Sequence, residues 1–121
     1  MKYPDYDVVA QLPHMDMFIS EVLRMHPIDN SAVPRRATDF ITMQGNNIQK
    51  GSIVQPDIYS IHYDIDLWGS DDSYSFILER HQTKRYPMSY IAFGAGPRSC
   101  IGMCFALMEI KILLTRLYYC A

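Results

Sequence analysis

Cysteine is scarce in this chain: Cys100, Cys104 and Cys120 are its three thiols in 121 residues. Three thiols build no disulfide framework, and the chain reads as one facing a reducing, cytosolic environment. A dominant charge is also lacking. Eleven Lys and Arg stand against 13 Asp and Glu, for a net charge of −2 and an isoelectric point near 6.0, which argues against nucleic acid as a partner. No N-terminal apolar segment reads as a signal peptide or membrane anchor. The most apolar stretch, near the C-terminus, is interrupted by Glu109, Lys111 and Arg116 too often for a membrane span. Repeats and low-complexity segments are absent. His14, His26 and His81 show no metal-ligand spacing with one another. What the chain does have is 49% apolar residues, enough for the core of one small domain.

The chemistry concentrates in Phe93-Gly94-Ala95-Gly96-Pro97-Arg98-Ser99-Cys100-Ile101-Gly102. This stretch sets Cys100 at the mouth of a helix, where unpaired N–H groups and aligned peptide dipoles favour negative charge. Gly96 permits a tight loop, and Gly102 lets a flat group lie against the first helical turn. Arg98 adds a permanent cation with a planar fork suited to carboxylates. Together they describe a seat for a metal macrocycle with acidic side arms.

Further upstream, Met15, Phe18, Ile19, Val22 and Leu23 recur at helical spacing, predicting a helix over Pro13–Met25 with Pro13 in its first turn and Pro27 ending it. Glu21 and Arg24 fall opposite that stripe, and periodicity alone makes them a surface ion pair. Short strands are expected at Phe40–Met43 and Ser52–Val54, flanking a turn at Gly45-Asn46-Asn47. Tyr59–Tyr63 reads as a helical turn, and Asp64–Pro87 as irregular, with a loop over Gly69-Ser70-Asp71-Asp72-Ser73. A last helix, from about Cys100 to Tyr118, is apolar on nearly all sides and is expected to be covered all round.

The pattern Phe-x-x-Gly-x-Arg-x-Cys-x-Gly resembles the haem-binding signature of the cytochrome P-450 family, with every fixed position present. Five specified residues match a given window by chance about once in several million. Glu21-x-x-Arg24 is similar to the family's Glu-x-x-Arg helix, and Phe76-Ile77-Leu78-Glu79-Arg80-His81 to its stretch ending in Pro-Glu-Arg-Phe. Leu78 stands where proline is usual, and His81 where phenylalanine is usual. The opening, from Tyr6-Asp7-Val8-Val9 to Glu21-Val22-Leu23-Arg24-Met25-His26-Pro27, looks most like microsomal, drug- and steroid-metabolising members of family-three type.

The resemblance runs from about Pro4 to Tyr119 and maps onto the C-terminal, proximal-haem portion of a complete member. It implies a mainly α fold with small β-sheets, residues 1–121 forming a C-terminal fragment of a cytochrome P-450 domain: Glu-x-x-Arg helix, short strands, meander, cysteine loop and last buried helix. It also implies haem (iron protoporphyrin IX) as cofactor. Cys100 is then the axial iron ligand, with Arg98, Phe93, Gly96, Gly102 and Arg35 around the cofactor, and Glu21, Arg24 and Arg80 form a buried structural triad. Arg35 is preferred to Arg36 for a haem propionate. His62 is expected to be a satisfied structural histidine, and Cys104 a buried inert thiol, since haem has one proximal position. Lys84, Arg85 and Lys111 read as solvated charges, with a reductase-facing surface as the other possibility.

The implied activity is a monooxygenase inserting one atom of dioxygen into a lipophilic small molecule such as a steroid, fatty acid or xenobiotic. An NADPH-dependent cytochrome reductase would supply electrons. The implied location is the cytosolic face of the endoplasmic reticulum membrane, with membrane contact through a part preceding these residues. The family's distal oxygen-activating residues fall outside the matched portion. Two alternatives therefore stand beside this reading: a non-catalytic haem-binding or interaction remnant, and a haem-thiolate isomerase.

Overall fold

A computed structural model describes residues 5–30, 34–69, 71–83 and 85–120. Asp5 opens the first helix, α1 (Tyr6–Ala10), by accepting the Tyr6 N–H at 2.7 Å. Pro13 then starts α2 (Pro13–Met25), at the position where a missing N–H leaves nothing unsatisfied. The helix closes with the His26 N–H on the Val22 carbonyl at 2.8 Å, one residue before Pro27. Its bounds are those expected.

The strands depart from expectation. β1 (Arg35–Arg36), β2 (Ile41–Met43), β3 (Asn46–Ile48) and β4 (Ile53–Val54) form two separate two-stranded antiparallel sheets, β1 with β4 and β2 with β3. Gln44 and Gly45, with φ of 49° and 81°, make the two-residue hairpin turn between β2 and β3. The turn therefore precedes its expected position, and Asn46 and Asn47 lie in a strand, Thr42 opposite Asn47 with their side chains 2.9 Å apart. The segments expected as a flanking pair belong to different sheets. Arg35-Arg36 and Asn46-Asn47 carry no strand propensity, so β1 and β3 gave no local signal.

Two short helices, α3 (Ile58–Tyr63) and α4 (Ile65–Trp68), follow under aspartate caps. Asp57 accepts the Ser60 N–H at 3.1 Å, and Asp64 the Asp66 N–H at 2.8 Å. The stretch expected to be irregular thus contains α4 and also a 3₁₀ turn, Leu78–His81. Of the expected loop near Gly69, Ser70 lies outside the described residues, as does Lys84.

The last helix, α5 (Met103–Cys120), begins after a turn at Ile101-Gly102, three residues beyond Cys100. It packs on α1, and its buried positions are polar: Lys111 and Thr115, each 6% exposed. The Lys111 ammonium lies 2.6 Å from the Asp16 carboxylate and donates to the Ala10 carbonyl at 3.1 Å. That carbonyl ends α1 and has no helical partner, so a cation suits it. The expectation of a solvated Lys111 is thereby corrected. The expected all-round cover of α5 is corrected too: Ile101, Phe105, Leu113 and Leu117 are exposed. The neighbouring helices offer a carboxylate and a carbonyl, which draw the polar edge of α5 inward and leave its apolar faces outward.

Among the described residues the buried apolar side chains are Val9, Ile19, Leu23, Ile58, Trp68 and Ile91. Buried polar ones include Glu21, Arg24, His62, Arg80 and Ser89 beside Lys111. The centre of the molecule is held largely by polar contacts.

Candidate functional site

The cysteine loop is built by its own backbone. Gly94 and Gly96 both take φ of 72°, a left-handed conformation that only glycine adopts without strain. They let the Cys100 N–H reach back to the Phe93 carbonyl at 2.8 Å, closing the loop, while the Ser99 N–H bonds the Gly96 carbonyl at 3.0 Å. A Cβ added at Gly96 would meet nothing within 4 Å, and one at Gly102 would sit 3.9 Å from the Cys100 sulfur. Gly96 is therefore required by backbone conformation, and Gly102 keeps the side of the thiol clear. Cys100 itself is exposed.

Beside the loop lies a cleft of about 350 Å³, lined by Arg35, Ile58, Phe93, Arg98 and Cys100 among others. Arg35 reaches it from β1, 65 positions before Cys100, whereas Arg36 is not among the lining residues. One thiol, two guanidiniums, the Asp29 carboxylate and an aromatic ring thus line a single open space. Cys104 faces elsewhere: it is exposed, and lines a separate hollow with Tyr6, Phe105 and Met108. The expected burial of that thiol is not found: among the described residues no element covers its side of α5.

The chain also holds a buried ion cluster. Glu21 and Arg24, which periodicity assigns to a surface, are 0% exposed. Arg24 donates to Glu21 through Nε at 2.8 Å and Nη2 at 2.9 Å, a bidentate contact. The Ile77 N–H adds a bond to Oε1 at 3.0 Å, and His81 Nε2 one to Oε2 at 2.9 Å. Arg80 Nε stands 3.5 Å from Oε1 without hydrogen-bond geometry, and is a buried donor with no partner. Arg80 is secured instead by the carbonyls of Asp71, Asp72 and Ser75. Burial alone would raise the Glu21 carboxyl; the bonds from Arg24, Ile77 and His81 outweigh it and hold the pKa at about 2. Glu21 is therefore an anion serving two arginines.

The cluster connects through His62 to Ile91, just before the loop. Arg24 Nη1 donates to the His62 carbonyl at 2.9 Å. The Ile91 N–H donates to His62 Nε2 at 3.1 Å, so the proton sits on Nδ1, 3.2 Å from the Arg24 carbonyl. His62 is thus a satisfied structural histidine, fully buried, and burial pushes its pKa down. Ile91 stands two residues before Phe93. Trp68, packed under both Arg24 and Arg85, donates its indole N–H to the Ile61 carbonyl at 3.1 Å. Arg85 donates to the carbonyls of Arg80 at 2.9 Å and Trp68 at 3.0 Å, so it too is not the solvated charge expected.

The family model for cytochrome P-450 matches residues 1–118. The chain belongs to the cytochrome P-450 family. It is 40% identical over 116 residues to the putative cytochrome P-450 CYP13A2 of Caenorhabditis elegans, covering 93% of this chain and 22% of that protein. It is 36% identical to cytochrome P-450 3A29 of Sus scrofa over 115 residues, again 93% of this chain and 23% of that protein. Among solved structures, a zebra fish cytochrome P-450 structure with abiraterone aligns at a TM-score of 0.82 and 30% identity, over 96% of this chain and 27% of that one. The retinoic acid-bound cyanobacterial CYP120A1 aligns at 0.84 and 32% identity, over 92% and 26%. The fold is the cytochrome P-450 fold in part, mainly α with small β-sheets. The chain spans less than a quarter of the length of those two relatives.

The family's cofactor is haem, and the donor set here suits it. Among the described residues no three His, Cys, Asp or Glu side chains converge as a metal cage. Cys100 offers a single thiol at the cleft, which suits a metal that arrives already held by a macrocycle. Gly102 puts no side chain beside the Cys100 sulfur, and the cleft carries two guanidiniums, Arg35 and Arg98, a type of group that pairs with carboxylates, together with Asp29. Among the described residues no helix is long and apolar enough to cross a membrane.

Proposed function

We propose that this chain forms the proximal haem seat of a monooxygenase, with Cys100 as the axial thiolate. Cys100 would hold the iron; Arg98 and Arg35 would pair with the propionates by charge-assisted hydrogen bonds. Phe93 would shield the sulfur from water, and the Gly96 turn would fix the loop's backbone beneath it. Haem bound through a cysteine thiolate supplies oxygen activation, so that one oxygen atom enters the substrate and the other leaves as water. The substrate class is a lipophilic small molecule such as a steroid, fatty acid or xenobiotic, with an NADPH-dependent cytochrome reductase as electron donor. The full-length protein would sit on the cytosolic face of the endoplasmic reticulum membrane, in keeping with its likeness to the 3A relatives. Glu21, Arg24 and Arg80 would act as the scaffold that holds this seat.

One observation carries the reading: Cys100, Arg98, Phe93 and the sequence-distant Arg35 share one cleft. The test is the absorption spectrum of the reduced, carbon-monoxide-bound, haem-loaded protein, with Cys100→Ala as control. A red-shifted Soret band that disappears in Cys100→Ala is expected. A band unchanged by the substitution would assign the iron to another ligand and overturn the proposal.

A further inference from the structure

His81 stands where the resembling stretch carries an apolar ring, yet its Nε2 lies 2.9 Å from Glu21 Oε2. Because Glu21 is ionised, that nitrogen must carry the hydrogen. The bond fills Oε2 beside Arg24 Nε, just as Arg24 Nη2 and the Ile77 N–H fill Oε1, the oxygen nearest Arg80 Nε, which is left without a hydrogen bond. The His81 ring also meets Tyr90 edge-on at 5.8 Å between centroids, and Tyr90 stacks on His62 at 5.4 Å and 12°. His62 in turn holds the Ile91 N–H, which leads into the cysteine loop. We infer that His81 is a positioning residue, a fourth member of the Glu21 cluster that ties the buried carboxylate through Tyr90 and His62 to the backbone of the Cys100 loop. The inference rests on the haem-seat reading for its effect on ligation, but not for the contacts themselves.

The groups facing His81 make its neutrality part of the device. From α2 come Glu21 and Arg24; from its own turn, Arg80; from the segments that follow, Arg85 and Tyr90; from α3, His62; and from α4, the uncharged Trp68 ring. Three of these are permanent cations and one is an anion. A protonated His81 would be a further cation with one carboxylate to share. Burial first, then Arg24 and Arg85, lower its pKa against the opposing pull of Glu21. A histidine whose folded pKa lies below its unfolded value leaves stability intact above the unfolded pKa, and stability is lost as pH falls through that value towards the folded one. The linkage is therefore expected to hold at neutral pH and loosen in mild acid.

The experiment compares the haem-loaded protein with His81→Phe and His81→Gln. Two readouts are followed from neutral to mildly acidic pH: the red-shifted Soret band of the reduced carbon-monoxide form, and the midpoint of thermal unfolding. Glutamine keeps an N–H for Glu21 but does not titrate. It should match the wild type at neutral pH and keep both band and midpoint further into acid, with unfolding taking up about one proton fewer. Phenylalanine should lower the neutral-pH midpoint and likewise flatten the acid limb. Identical pH profiles in all three proteins, or phenylalanine equal to wild type at neutral pH, would show His81 to be a space-filling ring and overturn the inference. Should no protein show the band, the haem-seat reading fails, and the unfolding midpoints alone still decide the role of His81. Should His81→Phe not fold, the glutamine profile decides.

Discussion

The Glu21 cluster and the Cys100 loop sit on neighbouring segments of the chain and are finished to different degrees. Around Glu21 nearly every polar atom has a partner within the chain: the carboxylate accepts four hydrogen bonds, and both histidines nearby are bonded. Around Cys100 the backbone is closed but the side chains point outward, with Cys100, Arg98, Ile101 and Phe105 all exposed. The first region is a frame that the chain completes by itself but for Arg80 Nε. The second leaves its groups exposed: the thiol and guanidiniums at the cleft, where the proposed haem would bind, and the apolar faces of α5. A buried charge network justifies its desolvation only when its geometry is complete, whereas a ligand site must leave its groups unspent.

The contrast predicts where substitutions act. Glu21→Gln should have the largest effect, since it strands Arg24 and Arg80 in the interior. A loss of about 3–5 kcal/mol is expected in denaturant unfolding, and a loss below about 1 kcal/mol would mean the frame is not what holds the chain. Lys111→Met removes the bond to the Ala10 carbonyl and the pairing with Asp16. It should destabilise by about 1–3 kcal/mol and free α1 from α5, which loss of amide protection in Tyr6–Ala10 would reveal. Acidification comes next. The folded pKa values of His62 and His81 are both lowered, by burial first, so the unfolding midpoint should be flat above pH about 7 and fall below pH about 6.5. A midpoint that rises in that range contradicts the assignment of two neutral rings. At the small end, Ile101→Ser on the exposed side should change stability by no more than about 0.5 kcal/mol, while improving solubility as an apolar patch shrinks.

Much of the site was legible in the sequence because its residues are close together or of fixed spacing. The loop from Phe93 to Gly102 and the helix Pro13–Met25 follow from glycine, proline and apolar periodicity. Periodicity failed where a helix buries its polar face: it put Glu21 and Arg24 outside, since it cannot register a polar face covered by a distant segment such as Leu78–His81. The same limit hid Lys111, whose partners Asp16 and Ala10 lie about a hundred positions away in sequence. The part played by His81 was visible only as a departure from the usual residue; its bond to Glu21 needed the fold.

Amide hydrogen exchange on the chain with and without haem tests this division most directly. A self-completed frame predicts that the Ile77 and Ile91 amides, bonded to Glu21 and His62, are already protected without haem and gain little on loading. Protection gained on loading should concentrate in residues 93–102 and the first turns of α5. Equal gains at Ile77 and Ile91 would mean that the cofactor builds the frame, and would contradict the account.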